Sequence, residues 1–446
     1  MASIQQKIVP KILDLIRTRR KAQALQKDSG QGRSSEGAAP ARCREALFSD
    51  FRAVADLKHR SNMAADSFEN WERLWRRNPA LEGTERPIGW VVESEGKVVG
   101  YMGNISLLYR YGAQTLTAVT AHGLSVEPQY RAFGVSMIAA FYSQKNVDLH
   151  LTTTAIPEVG RIAKGFRSDA LPQPDYESVL FLILEPRSFA QVVLEKLELR
   201  PSLARIGGLS ASLAVRIDKL LHRRWPRRSQ SGLTVSEMAV TDVGEDFQSL
   251  WIEKLGERTR LFADRSPEML RWHFEVPGDR GSARVICCWR NGELVGYAVV
   301  RNDPQPNGLL KSLVADMLAR HDDPQVVQAL MVAAYDHAKR SGSYLLEVLG
   351  FPAGVRRVCL QWNPCSRKYP ACPFYYRAAD PVLHKALLES AAWYATPFDG
   401  DTTLIRPSFS SSPSLFATEN ESAADHGVSD PSEVAIDSSM ATRFTN

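Results

Sequence analysis

The sequence predicts an α/β protein built from two similar domains. The first observation is a strand, a short turn and a helix start between Leu124 and Phe141. The second is a hairpin pattern with its turn at Glu95-Gly96, and the third is the return of that hairpin at Asn291-Gly292, 196 residues later. Solenoid repeats run about 20 to 50 residues, so a period of this length indicates two globular domains.

The stretch after Leu124 has the pattern of a phosphate-binding turn. Alternating apolar residues end at Pro128, and an apolar helical run begins just after Gly134. The turn is therefore predicted to lie at a helix N-terminus, where unpaired backbone N–H groups and the positive end of the helix dipole favour an anion. Gly134 allows close approach and Arg131 adds positive charge, so we expect a diphosphate to bind there.

This turn resembles the Arg/Gln-x-x-Gly-x-Gly/Ala signature of the GNAT acetyltransferase superfamily. Arg131, Gly134 and Ser136 occupy the three signature positions, with Ser136 in place of Gly or Ala. The resemblance implies a mixed, mostly antiparallel sheet flanked by helices, and acetyl-CoA or another acyl-CoA as co-substrate. It implies that the turn holds the pyrophosphate and that the preceding strand pairs with the pantetheine arm. The residues so implied in binding are Leu124, Val126, Arg131, Ala132, Phe133, Gly134, Val135 and Ser136.

The second copy keeps the register of the first but lacks the turn. Phe247 follows Phe51 at the same interval of 196 residues. The region equivalent to the turn, around residue 327, contains no glycine, and Asp322 and Asp323 precede its helical run. Carboxylates suit a helix N-terminus as caps but repel an incoming phosphate. We therefore expect a degenerate second domain that does not bind CoA.

Two residues are candidates for the chemistry. Acyl transfer from a thioester to an amine needs a proton acceptor and a donor for the tetrahedral oxyanion. His122, on the predicted strand, can accept a proton near neutral pH, with a purely structural histidine as the alternative. Glu127, at the end of that strand, is the second candidate. The resemblance implies a later segment that ends Gly-Phe and carries a Tyr as thiol acid; Gly165-Phe166 keeps that end, but Arg161 replaces the Tyr.

Composition divides the chain into five segments. They are a basic, flexible arm (1–45), a first domain (46–185), a basic helical linker (186–232), a second domain (233–406) and a Ser-rich disordered tail (407–446). The linker carries an apolar stripe at helical spacing, which favours a helix packed across the domain junction. A basic helix on a membrane surface is the alternative. The stripe consists of Ile206, Leu209, Leu213, Ile217 and Leu220.

Charge and cysteine content restrict the partners. The net charge of +5 comes from the arm and the linker, so the two domains are slightly acidic and no nucleic-acid partner is expected. The six cysteines lack metal-ligand spacing, so no metal site is predicted. Reduced cysteines, and no apolar run near the ~18 residues that span a bilayer, indicate a cytoplasmic protein. Peripheral membrane contact through 186–232 stays open.

We therefore expect an acyl-CoA-dependent N-acyltransferase. The asymmetry of the two copies resembles tandem GNAT proteins that bacteria use in cell-envelope or polysaccharide assembly. That resemblance alone implies the acceptor, a small molecule such as an amino sugar. Two alternatives stay open: a non-catalytic assembly protein, and an aminoacyl-tRNA-dependent peptide transferase, against which the intact Arg131 turn argues.

Overall fold

The computed structural model describes residues 40–153, 157–196, 212–226, 232–276, 282–368 and 374–404. These residues form two mixed β-sheets flanked by helices, which confirms the predicted fold class. Both sheets belong to one compact unit. The predicted tail, 407–446, and the predicted arm up to residue 39 lie outside the described residues.

The first sheet is antiparallel apart from one parallel pair, β4 with β5. In spatial order its strands are β1 (Ala41–Glu45), β2 (Gly89–Ser94), β3 (Lys97–Tyr111), β4 (Gln114–Val126), β5 (Leu149–Thr152), β15 (Tyr375–Ala378) and β6 (Asp169–Ala170). A short strand, β9 (Leu261–Ala263), also pairs with β3. The assignment of Ala41–Glu45 to a flexible arm is wrong. These residues pair along β2, whose edge backbone groups would otherwise have no partner on that side.

The second sheet has the same design, with β12 and β13 as its parallel pair. In spatial order its strands are β14 (Cys365–Lys368), β7 (Ser178–Ile183), β13 (Ser343–Val348), β12 (Leu310–Ala319), β11 (Glu293–Pro304), β10 (Ala283–Arg290) and β8 (Thr234–Ala239).

The two halves exchange one strand each. Strand β7 comes from the first half but lies between β13 and β14, and β15 comes from the second half but lies between β5 and β6. The sequence predicted that the strand ending near Leu184 closes the first domain, whereas it lies in the second sheet. A strand that is apolar on both faces is recognisable as internal, but its sequence does not say which sheet it enters.

Helices cover both sheets. They are α1 (Phe51–Arg60), α2 (Phe68–Trp75), α3 (Ala132–Tyr142), α4 (Pro157–Gly165), α5 (Pro186–Lys196), α6 (residues 212–221), α7 (Glu245–Glu257), α8 (Pro267–Phe274), α9 (Pro324–Arg340), α10 (Ala353–Leu360) and α11 (Pro381–Ala386). Helices α3 and α4 pack on one face of the first sheet. Its other face joins α1, α2, α7 and α8 in a core shared with the second sheet.

Helix α6 differs from expectation. Leu213, Ile217 and Leu220 of the predicted stripe are exposed, so packing of these three residues across the domain junction is wrong. The stripe has helical spacing, as predicted, but spacing does not determine the direction in which an apolar side faces. Ile206 and Leu209 lie outside the described residues. Every helix within the described ranges is too short or too polar to cross a bilayer.

Candidate functional site

Strand β4 separates from β5 at Thr120. The two strands pair from Ala118 to Thr120, while β3 follows β4 along its other edge to Val126. In the described part of the chain, the edge of β4 beyond Thr120 has no strand beside it. Backbone N–H and C=O groups on such an edge are available to an extended ligand.

A bulge interrupts β4 just beyond this separation. Met102 of β3 alone lies opposite two residues of β4, Gly123 and Leu124. Gly123 has a φ of +60°, the left-handed conformation that favours glycine. A bulge of this kind leaves one residue outside the ladder and changes the direction of its neighbours. Backbone groups of β4 are therefore free of ladder hydrogen bonds at the point where the strands separate.

A cavity of about 340 Å³ opens at the separation. Its lining is mainly apolar, and its polar side chains are those of His122, Tyr142 and Thr152. A largely apolar cavity with a few polar groups is the usual form of a small-molecule site. The full lining is Met63, Met102, Ala121, His122, Gly123, Leu124, Ile138, Phe141, Tyr142, Thr152, Val159 and Ala163.

His122 lies between two buried carboxylates. Its Nδ1 is 3.6 Å from Asp401 Oδ2, and its Nε2 is 3.7 Å from Asp66 Oδ2. Lys58 Nζ donates a hydrogen bond to Asp66 Oδ2 at 2.6 Å. Burial, and then Lys58, lower the pKa of His122, but Asp401 and Asp66 outweigh them and raise it above its ordinary value. Burial raises the pKa of Asp66, but His122 and Lys58 together hold it well below its usual range.

Asp401 reaches His122 from the last described segment of the chain. Thr153 Oγ1 donates to Asp401 Oδ1 at 2.5 Å and accepts from the Asp401 N–H at 3.0 Å. Gly400 has a φ of +75°, and a Cβ there would lie 2.3 Å from Thr153 Cγ2, so this approach needs glycine. Sequence reasoning missed both Asp66 and Asp401. In the sequence, only the glycine between two acids in Asp399-Gly400-Asp401 indicates that Asp401 has a special place.

Buried polar atoms without partners cluster on β3 and β4. Tyr101 OH, Thr120 Oγ1 and His122 Nε2 make no hydrogen bond to any described residue. Buried polar atoms in native proteins are nearly always paired with protein or water. Ser106 Oγ, Tyr109 OH and Arg110 Nε, further along β3, also lack a hydrogen-bond partner among the described residues. His122 lines the cavity, so its end of this cluster is a place for a polar ligand or bound water.

The turn after β4 is open to solvent. A short 3₁₀ turn, Pro128–Tyr130, leads into α3, whose N-cap residue Arg131 makes no side-chain cap. Gly134 is buried, and its N–H donates to the Arg131 carbonyl at 3.0 Å. A Cβ added there would meet only Val126 Cγ2, at 3.9 Å, an ordinary van der Waals distance. Phe133 is half-buried. The exposed residues are Arg131, Ala132, Val135 and Ser136.

Glu127 lies outside the cavity lining. Arg60 Nε donates to its Oε1 at 3.0 Å, Gln129 Nε2 donates to its Oε2 at 3.1 Å, and Lys97 Nζ is 3.6 Å from Oε1. Arg60, Lys97 and Gln129 thus engage this carboxylate at the rim of the turn. The arrangement favours His122 over Glu127 as the proton acceptor.

Tyr142, which sequence reasoning also missed, supplies a hydroxyl at the cavity wall. Its OH accepts a hydrogen bond from Ser168 Oγ at 2.9 Å and lies 3.5 Å from Thr152 Oγ1. Arg161, in the position where the resemblance implies a Tyr, is exposed on α4. Tyr142 ends α3 and has no neighbouring motif, so only the fold identifies it. Across the described ranges, no cluster of three or more His, Cys, Asp and Glu could hold a metal ion.

No protein-family model and no curated protein matches the chain, whereas solved structures do. It is similar to a GCN5-related N-acetyltransferase from Anabaena variabilis at 11% identity and a TM-score of 0.46, over 76% of this chain and 73% of that chain. It is similar to Saccharomyces cerevisiae N-myristoyltransferase with bound myristoyl-CoA at 12% identity and a TM-score of 0.49, over 78% of this chain and 81% of that chain. It is also similar to a GCN5-related N-acetyltransferase from Kribbella flavida at 12% identity and a TM-score of 0.48, over 76% of this chain and 71% of that chain. At these levels the likenesses assign no activity to this chain.

Proposed function

We propose that the protein is an acyl-CoA-dependent N-acyltransferase, a tandem GNAT protein whose first half binds the donor. The separation of β4 from β5 beside an open helix N-terminus carries the proposal. The diphosphate of an acyl-CoA would meet N–H groups near Gly134, with Arg131 adding charge. Its pantetheine amides would pair with the free edge of β4, in the manner of an added strand, and its thioester would reach the cavity beside His122.

The proposed reaction is attack of an amine on the thioester. The amine nitrogen bonds to the carbonyl carbon, His122 takes the proton that the nitrogen loses, and a backbone N–H at the β4 bulge stabilises the oxyanion. The C–S bond then breaks, and Tyr142 gives its proton to the leaving thiolate. After product release, proton exchange with solvent restores His122 and Tyr142.

The proposed acceptor is a small molecule with a primary amine, such as an amino sugar. Asp66 and Asp401 support a cationic acceptor, because two carboxylates beside His122 attract an ammonium group, which releases one proton to solvent before the neutral amine attacks. Asp401 also stabilises the imidazolium that forms when His122 takes the proton that the nitrogen loses on attack.

Titration calorimetry with acetyl-CoA tests donor binding. Gly134→Asp adds bulk and negative charge where the diphosphate would lie, while an Asp in the first turn remains compatible with a helix. Gly354→Asp is the control, because Gly354 lies in the first turn of α10, is exposed, and an added Cβ there meets nothing within 4 Å. We expect the wild type and Gly354→Asp to bind equally, and Gly134→Asp to stay folded but bind at least about tenfold more weakly.

Two results would contradict the proposal. Equal binding by all three proteins would mean that the α3 turn is not the diphosphate site. A wild type that binds neither acetyl-CoA nor longer acyl-CoA thioesters would favour the non-catalytic assembly protein instead.

A further inference from the structure

Helix α6 is oriented with its apolar side outward. On the opposite side Ser212, Val215 and Asp218 are buried. A helix on the surface of a globular protein normally has the reverse arrangement, with the apolar stripe inward. We use the name α6 face for the outward apolar side chains, which are 38% to 74% exposed: Leu213, Ile217, Leu220, Leu221 and Trp225.

Polar contacts fix this orientation. Lys219 Nζ donates to the Ile183 carbonyl at 3.0 Å and to Tyr335 OH at 3.2 Å. Arg224 Nε donates to Asp218 Oδ2 at 2.7 Å. Turning the helix to bury the α6 face would break the two Lys219 bonds and expose Val215, which packs in a small core with β7. The protein therefore holds the α6 face toward its surroundings.

We propose that the α6 face docks the protein on an anionic membrane surface. Residues 212–226 contain four basic residues and a single acid, and Arg216 and Arg223 are exposed beside the apolar side chains. Apolar side chains that enter the headgroup region, with basic residues that contact anionic lipid, are the two elements of interfacial helix binding. Trp225 suits the headgroup level because its ring is apolar and its N–H is polar. This docking is independent of acyl transfer.

Charge complementarity favours lipid over a second copy of the chain. In a twofold dimer the same patch meets itself, so Arg216 and Arg223 of one copy would approach those of the other. Like charges brought together in a contact are unfavourable, whereas anionic headgroups supply the opposite charge.

Vesicle co-sedimentation of the full chain tests the proposal. We expect the wild type to sediment with phosphatidylcholine vesicles that contain about one third phosphatidylserine, more weakly at high salt, and poorly with phosphatidylcholine alone. Leu220→Glu with Leu221→Glu should lower the partition coefficient at least about tenfold. The matched control is Val382→Glu with Leu388→Glu, which adds the same charge at side chains 77% and 50% exposed and should bind like the wild type.

Sedimentation velocity of the same proteins separates the other occupants. A wild type that dimerises through the α6 face without binding vesicles would overturn the proposal in favour of a second copy. A monomeric wild type that binds neither kind of vesicle would overturn the proposal, and would favour another segment of the chain as the cover of the α6 face. Equal loss of vesicle binding in both double variants would overturn it too, because added negative charge alone would then explain the loss.

Discussion

The two halves of the molecule use equivalent strand positions in opposite ways. Gly103 of β3 pairs with His122 of β4, and Val299 of β11, 196 residues after Gly103, pairs with Asp316 of β12. His122 lies where β4 borders a cavity. Asp316 lies in the segment 314–319 of β12, and every residue of that segment is buried. The same place in the sheet is thus open in one half and filled in the other.

Hydrogen bonding shows the same contrast. Arg265 donates to both oxygens of Asp316 at 3.1 Å, and Tyr297 OH donates to its Oδ2 at 2.9 Å. The equivalent of Tyr297 in the first half is Tyr101, whose OH has no hydrogen-bond partner among the described residues. At this position the second half pairs its tyrosine hydroxyl internally, whereas the first half leaves the equivalent hydroxyl without a partner among the described residues.

The turns after the two strands differ in the same sense. In the second half, Asp322 accepts from Lys254 Nζ at 2.7 Å and Arg260 Nη1 at 2.9 Å, and Asp323 caps α9 through the Gln325 N–H at 2.8 Å. The chain's own carboxylates therefore occupy this turn. In the first half Arg131 stands exposed instead. The contrast supports a donor site in the first half alone.

Breaking the filled site should have the largest effect on stability. Arg265→Met leaves Asp316 and Asp399 buried without their cation, so we expect the free energy of unfolding to fall by about 3 to 5 kcal/mol. Arg258→Met is the control, because Arg258 pairs with Asp322 at the surface and its loss should cost about 0 to 1 kcal/mol. Urea unfolding measures both. Similar losses would mean that the buried network adds nothing specific.

Local patterns predicted what depends on a few neighbouring residues. The turns Glu95-Gly96 and Asn291-Gly292 both have two consecutive residues with positive φ, as a two-residue hairpin turn requires, and both hairpins formed where the sequence indicated them. Strand β4 and the start of α3 were likewise predicted from neighbouring residues. The sheet that β7 joins and the direction of the α6 face depend on packing between distant segments, which no local pattern contains.

The site around His122 was likewise predictable only where a local pattern indicated it. His122 was a candidate because of its place on β4. Its partners could not be predicted, because Asp66 comes from the loop between α1 and α2 and Asp401 from the end of the described chain. The exchange of β7 and β15 ties the two halves together, and the second half of the chain supplies the carboxylate of Asp401 to His122 in the first.

The contact that brings Asp401 to His122 should have an intermediate effect. Gly400 and Gly308 have nearly equal φ angles, +75° and +76°, but only at Gly400 would a Cβ meet other atoms, those of Thr153. Gly308→Ala should therefore cost about 1 to 2 kcal/mol of unfolding free energy from backbone strain alone. Gly400→Ala should cost more, because Thr153 or Asp401 must move. Equal costs in urea unfolding would mean that this end of the chain is held loosely.

Asp401→Asn should have the smallest effect on stability. Its effect is also the most specific for the cavity beside His122. Removing this carboxylate should lower the pKa of His122, because burial then acts against fewer compensating charges. NMR titration of labelled histidine rings measures this, with the His122 signal assigned by its absence in His122→Gln. Asp246→Asn, which removes an exposed carboxylate on α7, is the control and should leave the pKa of His122 unchanged.

The sign of the pH dependence follows from the raised pKa. His122 accepts a proton only above its pKa, so the acid side of the pH–rate profile should move to lower pH in Asp401→Asn. The raised pKa also means that His122 stabilises the fold fully below its ordinary value near 6.5, and that this contribution disappears as pH rises through the folded pKa. Asp401→Asn should make the free energy of unfolding depend less on pH in this range. An unchanged His122 titration would mean that Asp401 does not act on it, and the two halves would then differ only in cavity and turn.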